Sequence, residues 1–313
     1  MSMDREDWIV VSGANGLLGK SVCRQLVEQG NKVLGLIRPS DTRRPVDGIT
    51  YQGVDLAAPF ADQLDVPGPV RSVVHLAQAA GWHAFPEHTG QIARINLGAT
   101  IELAQWAIRA KAKSFVYASS GGIYGAHETA ITEDSPRKPA ADLGFYLDTK
   151  YQAEHLLDFF RAHVAIHIMR PFFIYGSEQA DSFLIIRLME SVFNGTAIKA
   201  ANGTGPRLNP IHALDAARAI CAAIRQETAF TCNIAGPEPV YVAEIAQMIG
   251  DLLGKPVNFE TAGTLNGSFV ADITRMTKIL GAPELSMREG LSDVLAARYP
   301  ITQNRLLRGP QGS

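Results

Sequence analysis

A glycine-rich turn between a short apolar run and a helical stretch is the strongest constraint on the fold of this chain. Residues 8–12 are apolar and of strand length, and residues 17–29 carry the spacing of an amphipathic helix. Glycines recur at every third position between them, at Gly13, Gly16 and Gly19. A strand, a glycine turn and a helix in this order are typical of the first unit of a parallel α/β sheet.

The same alternation continues through the first half of the chain and predicts a parallel sheet covered by helices on both faces. Further strands are predicted over residues 32–37, 50–54, 72–76, 114–119, 164–170 and 230–234. Helices are predicted over residues 92–110, 145–162, 183–193 and 242–253, and directly after His212. The predicted fold class is α/β, a doubly wound parallel sheet (Rossmann) with a smaller α/β C-terminal substrate domain.

The change of pattern after Pro171 predicts two interleaved domains. Residues 1–172, with return segments near 212–234, are expected to form the dinucleotide-binding domain. Residues 173–211 and 235–313 are expected to form the substrate-binding domain. The last segment, residues 308–313, is rich in Gly and Pro and is expected to be disordered.

Composition excludes several classes of protein. The 29 Lys and Arg against 31 Asp and Glu leave a net charge of −2, too little to attract nucleic acid or an anionic membrane. The N-terminus lacks the pattern of a signal peptide and no run has the 18 or so apolar residues of a membrane helix, so a cytoplasmic protein is expected. The three cysteines form no CxxC pair and are expected to be buried thiols; no residue set has metal-ligand spacing, so no metal is expected.

The glycine turn predicts a dinucleotide site. Glycine permits positive φ and close approach of a pyrophosphate, and the helix N-terminus offers free N–H groups with partial positive charge. The predicted cofactor-binding residues are Gly13, Asn15, Gly16, Leu17, Gly19, Arg38, Asp55, Leu56, Leu76, Ala77, Tyr146 and Lys150.

The end of the second strand favours NADP over NAD. NAD sites normally carry an acidic residue there for the ribose 2′-hydroxyl, whereas this chain has Arg38 and Ser40, which can hold a 2′-phosphate. Arg38 can equally stack on adenine or be solvated. Asp55 either contacts the adenine amine or caps a helix.

A tyrosine and a lysine four residues apart form the candidate catalytic face. Tyr146 and Lys150 lie on one side of the predicted helix, and an ammonium beside a phenol favours phenolate. We therefore expect the pKa of Tyr146 to move from about 10 toward the working pH, so that Tyr146 can act as acid and base. Ser120 follows the fifth strand, where ligands bind in open parallel sheets, and is expected to hydrogen-bond the reacting oxygen.

Together with the glycine turn, these residues make the chain resemble the extended short-chain dehydrogenase/reductase family, in its NAD-dependent epimerase/dehydratase branch. Further matches lie, in order, at His75-Leu76-Ala77, Asn96-Leu97-Gly98-Ala99-Thr100, Arg170 with Tyr175-Gly176, Asn209-Pro210-Ile211-His212 with Asp215, Asn233-Ile234-Ala235-Gly236 and Glu244-Ile245. The resemblance implies that Ser120, Tyr146 and Lys150 are the catalytic triad and that the substrate is a nucleotide-linked sugar. It leaves Asn96 either a structural hydrogen bond or a role in the site.

The chain departs from the family pattern at its substrate positions. The 4,6-dehydratases carry Asp-Glu where this chain has Gly121 and Gly122, which disfavours dehydration and is expected to leave room for a sugar to present either face. Phe173 replaces an Asn that contacts the diphosphate of the sugar nucleotide. The basic residue of a later motif is displaced to Arg207, which, with Arg187 second, is expected either to bind a substrate phosphate or to form a surface ion pair.

Three histidines have less specific signals. His83 and His88 either face the substrate from the loop after the fourth strand or are polar loop residues. His212 and Asp215 are expected to link the two domains.

These observations predict an NAD(P)-dependent enzyme of 4-epimerase type on a nucleotide-linked sugar. An NADPH-dependent ketone or aldehyde reductase is the enzymatic alternative, and a dinucleotide-sensing regulator without catalysis is the alternative from another class. Family resemblance also implies a homodimer packed through the helices predicted over 92–110 and 145–162.

Overall fold

Seven parallel strands form the central sheet of the computed structural model, which describes residues 7–80, 85–264 and 267–299. The described residues contain eleven strands, of which β7, β8, β10 and β11 lie outside the central sheet: β1 (Trp8–Ser12), β2 (Lys32–Ile37), β3 (Thr50–Gly53), β4 (Val70–His75), β5 (Ser114–Ala118), β6 (Ala165–Pro171), β7 (Ile198–Ala200), β8 (Arg207–Leu208), β9 (Phe230–Ile234), β10 (Val240–Tyr241) and β11 (Phe259–Thr261). The sheet order is β3-β2-β1-β4-β5-β6-β9, and every pair in it is parallel. The predicted fold class is confirmed. His83 and the segment 308–313 lie outside the described residues.

Nine α-helices lie within the described residues. They are α1 (Leu17–Glu28), α2 (Thr89–Ala93), α3 (Ala99–Arg109), α4 (Ala140–Asp158), α5 (Leu184–Asn194), α6 (Ala213–Ala223), α7 (Val242–Leu253), α8 (Thr274–Leu280) and α9 (Met287–Arg298). Two predicted helices differ from the structure. The helix predicted over 92–110 starts earlier and contains a π-helical turn, Arg94–Gly98, between α2 and α3. The helix predicted over 145–162 ends at Asp158. Non-helical backbone at Gly144 (φ +75°) precedes the helical turn that carries Tyr146 and Lys150.

Helices cover both faces of the sheet, as a doubly wound fold requires. On one face α1 and α6 pack on the strands through a buried cluster that includes Val22, Leu26 and Ile220. On the other face α3 and α4 bury Leu103 and Leu157. Because both faces are covered, strands such as β1 are almost continuously apolar instead of alternating.

A third apolar cluster lies outside the sheet, among α5, α7 and α9. Two small sheets accompany it: β8 pairs antiparallel with β10, and β7 pairs parallel with β11. These elements form the smaller α/β region.

The strand order reverses between β1 and β4, which both leave the sheet at the same edge. In open parallel sheets ligands bind in the crevice at such a reversal, outside the carboxyl ends of the strands. The glycine turn follows β1, and Ser120 follows β5, so both lie at this edge.

All three cysteines, Cys23, Cys221 and Cys232, are buried thiols outside any disulfide. Burial raises the pKa of Cys23 to about 12.

Among the described residues, no helix has the length and apolarity needed to cross a membrane. The same residues contain no group of three or more His, Cys, Asp or Glu side chains placed to hold a metal ion.

Candidate active site

The glycine turn packs tightly against its neighbours and leaves its backbone open to a ligand. Gly13 has a φ of +70°, and a Cβ there would lie 2.8 Å from the Ala77 nitrogen. A Cβ on Gly19 would lie 2.1 Å from the Gly13 carbonyl oxygen, so only glycine lets α1 start this close to β1. Gly16 precedes α1, and no side chain caps that helix. The turn therefore has a shape, and the start of α1 has N–H groups without a side-chain cap, that suit the pyrophosphate of a dinucleotide.

Asn15 joins this turn to the loop after β2. Its Nδ2 donates to Asp41 Oδ1 (3.1 Å) and to the Arg43 carbonyl oxygen (3.1 Å). Its Oδ1 is buried and has no hydrogen-bond partner among the described residues, which leaves an acceptor for a ligand beside the turn.

The loop after β2 presents an Asp–Arg pair that sequence reasoning missed. Arg43 Nε donates to Asp41 Oδ1 (2.9 Å), and hydrogen bonds from Arg43 hold the pKa of Asp41 well below its usual range. The predicted Arg38 and its neighbour Ser40 are exposed. Nothing in the local sequence marks Asp41, because its contact with Asn15 depends on how the loop folds back.

The remaining predicted cofactor residues lie at the ends of β3 and β4. Asp55 Oδ1 accepts from the Ala57 nitrogen (2.9 Å) within a turn at which no helix starts, so the helix cap considered as the alternative to adenine binding is not formed. Leu56 is half-buried beside the second apolar cluster. The Leu76 nitrogen donates to the Ser12 carbonyl oxygen (3.2 Å), and Ala77 contacts Gly13.

Lys150 and Tyr146 extend from one helix toward the ends of two different strands. The buried Lys150 Nζ donates to the Ala118 carbonyl oxygen (2.6 Å) at the end of β5. Tyr146 Oη donates to Gln78 Oε1 (2.5 Å) just beyond β4. Ser120 Oγ accepts from the Gly122 nitrogen (3.1 Å). The structure thus brings the three predicted catalytic residues to one edge of the sheet.

The electrostatics of these groups differ from the sequence prediction. Burial raises the pKa of Tyr146, the opposite of the expected direction. The Lys150 ammonium bonds to a backbone carbonyl. Burial lowers the pKa of Lys150 to about 7, against an opposing effect of the Glu154 carboxylate. Gln78 was missed from the sequence, although it directly follows the His75-Leu76-Ala77 match.

Asn96 holds the loop after β4 to α4. Its Oδ1 accepts from the Ala79 nitrogen (3.0 Å), and its Nδ2 donates to Thr149 Oγ1 (3.0 Å). Thr149 Oγ1 in turn donates to the Tyr146 carbonyl oxygen (2.7 Å). Of the two roles considered for Asn96, these contacts correspond to the structural hydrogen bond.

A buried ion pair joins α4 to β6. Glu154 Oε2 and Arg170 Nη2 are 2.6 Å apart, and both side chains are at most 5% exposed. Glu154 Oε1 also accepts from Ser119 Oγ (2.5 Å). The sequence signal for Glu154 was its position four residues after Lys150, on the same helix face.

The glycine pair after Ser120 is packed against protein. A Cβ on Gly121 would lie 2.4 Å from the Phe172 ring, and one on Gly122 would lie 3.0 Å from Leu147 Cδ2. The space expected for a sugar at Gly121 is therefore filled by an aromatic side chain.

Phe173 combines an uncommon backbone with partial exposure. Its φ is +46°, a region where bulky residues are rare, and the residue is 38% exposed. Hydrogen bonds from Ile211 N to the Phe172 carbonyl and from Tyr175 N to the Ile211 carbonyl hold the chain on both sides of it. Its ring lies 5.8 Å from that of Phe269, edge to face.

The two candidate phosphate-binding arginines are exposed. Arg207 donates to the Pro239 carbonyl oxygen (3.4 Å), and its guanidinium lies 5.9 Å from the Tyr241 ring. Leu208, the next residue, is fully buried, because successive side chains of a strand point to opposite faces. Arg187 is on the exposed side of α5.

His212 and Asp215 tie α6 to the smaller region. His212 Nε2 lies 3.3 Å from Asp293 Oδ2 of α9. Asp215 accepts from the backbone nitrogens of Glu284 (3.1 Å) and Leu285 (3.0 Å). His88 is exposed just before α2.

Comparison with known proteins gives relatives along almost the whole chain. An uncharacterised UDP-glucose epimerase, YtcB, of Bacillus subtilis (strain 168) is 22% identical over 92% of this chain and 96% of its own. A dTDP-4-dehydro-6-deoxy-D-allose reductase of Streptomyces bikiniensis is 25% identical over 91% of this chain and 94% of its own.

A solved structure shares the fold. MoeE5 in complex with UDP-glucuronic acid and NAD superposes with a TM-score of 0.78 at 26% identity, over 94% of this chain and 99% of that one. The NAD bound in that structure agrees with a glycine turn whose shape suits the pyrophosphate of a dinucleotide. The sequence model of the NAD-dependent epimerase/dehydratase family matches residues 9–235. The chain therefore belongs to that family and is an enzyme of the extended short-chain dehydrogenase/reductase type.

Proposed function

We propose that the chain is an NAD(P)-dependent enzyme that acts as a 4-epimerase on a nucleotide-linked sugar, with Tyr146 as acid and base. The observation that carries the proposal is the convergence of Tyr146 and Lys150 on the ends of β4 and β5, at the edge where the glycine turn lies. The UDP-sugar bound by MoeE5 supports the substrate class.

The roles of the side chains follow from their contacts. A bound dinucleotide would supply hydride transfer, held at the backbone of Gly13, Gly16 and Gly19. Tyr146 Oη would remove the proton of a sugar hydroxyl as its carbon is oxidised, and return that proton to the same oxygen when the carbon is reduced from its opposite face. Lys150, held at the end of β5, supplies a positive charge on the helix face of Tyr146 when it is protonated. Ser120 Oγ orients the reacting oxygen.

We further propose NADP as the preferred cofactor. Arg38 and Ser40 are exposed at the end of β2, so a cation is available there for a 2′-phosphate, whereas the Arg43 guanidinium is paired with Asp41. The Asp41 carboxylate favours the opposite preference, since it can accept a ribose hydroxyl.

The surrounding chain is proposed to complete the site. Residues 1–172, with 212–234, bind the dinucleotide, and residues 173–211 and 235–313 bind the substrate. A homodimer packed through α3 and α4 in the cytoplasm is the proposed working form.

A reductase is the second candidate, and Phe173 favours it. An aromatic pair at the position where the family contacts a diphosphate makes that part of the cleft more apolar. The similarity to a dTDP-sugar reductase points the same way.

The test starts with the dinucleotide released from freshly denatured protein, identified by mass and absorbance. Protein reloaded with it is then incubated with UDP-glucose or UDP-glucuronic acid. If the protein is an epimerase, the cofactor is retained and the substrate is converted to its 4-epimer without net redox. If it is a reductase, NADPH is consumed stoichiometrically with a keto substrate.

Tyr146→Phe is expected to lower turnover about 10²- to 10⁴-fold, with Tyr151→Phe as the matched control one turn away. Binding without either turnover would support the regulator instead.

A further inference from the structure

A carboxylate from the segment after β6 bridges two cations of α1. Glu178 Oε2 lies 2.5 Å from Lys20 Nζ, and Glu178 Oε1 lies 2.9 Å from Arg24 Nη2. The Lys20 side chain is only 9% exposed. Burial alone would raise the pKa of Glu178, but hydrogen bonds from Lys20 and Arg24 outweigh it and lower that pKa. Glu178 is therefore ionised and paired at neutral pH.

The three side chains line a cavity of about 660 Å³ between α1 and residues 44–47. Arg44 and Asp47 face it from the loop after β2, and Glu28 from the far end of α1. The ion pairs are open to water through this cavity, so salt can weaken them.

The segment that carries Glu178, residues 174–179, is called the strap below. A Cβ on Gly176 would lie 2.9 Å from Leu17 Cδ1 and 3.2 Å from Ala213 Cβ, so the strap crosses directly over the start of α1 and α6. Its far end is held by Arg298 of α9, whose Nη1 donates to the Gln179 carbonyl oxygen (2.7 Å).

Leu17, under the strap, is the first residue of α1 and follows Gly16. The N–H groups of this first turn are the ones that suit a pyrophosphate. Lys20 lies in the same turn, so the contact with Glu178 fixes the strap beside the place where the dinucleotide would lie.

We propose that Glu178 is a positioning residue for cofactor retention: its pairs with Lys20 and Arg24 hold the strap across the first turn of α1, and the dinucleotide leaves only when these pairs open. This inference rests on the proposed NAD(P) function. A reaction without net redox change requires a cofactor that stays bound between turnovers. The strap, held by Glu178, would keep the cofactor bound.

The test measures dissociation of a fluorescent reduced dinucleotide, NADH or NADPH, from loaded full-length protein after dilution into excess oxidised cofactor. Glu178→Gln is expected to dissociate about five- to tenfold faster, the effect of losing two partly exposed ion pairs. Wild-type dissociation is expected to accelerate between 50 mM and 500 mM NaCl, and Glu178→Gln to respond less.

Two further variants make the result specific. Glu28→Gln removes the same charge from the same cavity and is expected to match wild type. Arg24→Gln, an exposed change on α1, is expected to accelerate dissociation without loss of folding, which covers the case of a poorly folded Glu178→Gln. Equal rates for wild type, Glu178→Gln and Arg24→Gln would overturn the role of the strap. If wild type binds neither dinucleotide, the proposed function itself is overturned.

Discussion

The Lys150 ammonium nitrogen donates a 2.6 Å hydrogen bond to the carbonyl oxygen of Ala118, the last residue of β5. Lys150 is also 4.6 Å from the centre of the Tyr117 ring. These contacts join α4 to the sheet through a buried, ionisable group. They link the position of Lys150 to the protonation of its side chain.

Replacing Lys150 by Met is expected to change how stability depends on pH. The pKa of Lys150 is about 7 in the folded protein against an ordinary value of 10.5. Between these values the unfolded chain binds a proton that the folded chain does not, so wild-type stability rises with pH across this window. Lys150→Met lacks this rise. The difference in unfolding free energy, Lys150→Met minus wild type, should therefore be most positive at pH 7 and should fall toward pH 9.

Urea unfolding at pH 7, 8 and 9 measures this difference. The exposed Lys113, replaced by Met, serves as the control and should follow the wild-type profile. A profile for Lys150→Met that runs parallel to wild type would contradict the lowered pKa.

Substitutions of Gln78 should move the pH profile of activity in opposite directions. Gln78 Oε1 accepts the Tyr146 proton and so favours the protonated phenol. Gln78→Ala removes the acceptor, and the acidic limb should move to lower pH by about 0.5 to 1 unit, the value of one hydrogen bond. Gln78→Glu places a negative charge there and should move that limb to higher pH. Turnover with a UDP-sugar between pH 6 and 10 tests both; a shift of the same sign in both variants counts against the contact.

Removing the carboxylate of Glu154 should strongly destabilise the fold. Glu154→Gln leaves the Arg170 guanidinium buried without its ionic partner, which costs about 3–5 kcal/mol. Asp158→Asn, one turn later on α4, breaks an exposed pair with Arg161 and should cost at most about 1 kcal/mol. The unfolding free energy in urea at pH 7 compares the two. Similar losses would show that the burial of the Glu154–Arg170 pair has little effect.

Alanine at Gly19 should prevent the glycine turn from closing on α1. The added Cβ would meet the Gly13 carbonyl oxygen at 2.1 Å, so the helix or the turn must shift. We expect a loss of about 1–3 kcal/mol in unfolding free energy and a loss of dinucleotide binding by calorimetry. The control is Gly90→Ala in α2, where the new methyl meets nothing within 4 Å and helix propensity favours Ala by up to about 1 kcal/mol. Unchanged binding in Gly19→Ala would contradict the tight packing.

The element pattern was predictable from the sequence because it depends on local periodicity. Apolar runs of strand length and glycines at Gly13, Gly16 and Gly19 define β1, the turn and α1 without knowledge of distant residues. The four-residue spacing of Tyr146 and Lys150 likewise sets their common helix face. The family resemblance then supplied the roles expected of the site residues.

Which side chains meet across the molecule was decided only by the tertiary structure. Lys20 and Glu178 are 158 residues apart, and Tyr146 meets Gln78 across 68 residues. No local pattern encodes such pairs, since they depend on the packing of helices and loops around the sheet. The same holds for pKa values: the sequence places Lys150 near Tyr146, but burial in the tertiary structure raises the pKa of Tyr146 and lowers that of Lys150. Local spacing thus determined the elements and the residue types at the site, and long-range packing determined their partners and their protonation.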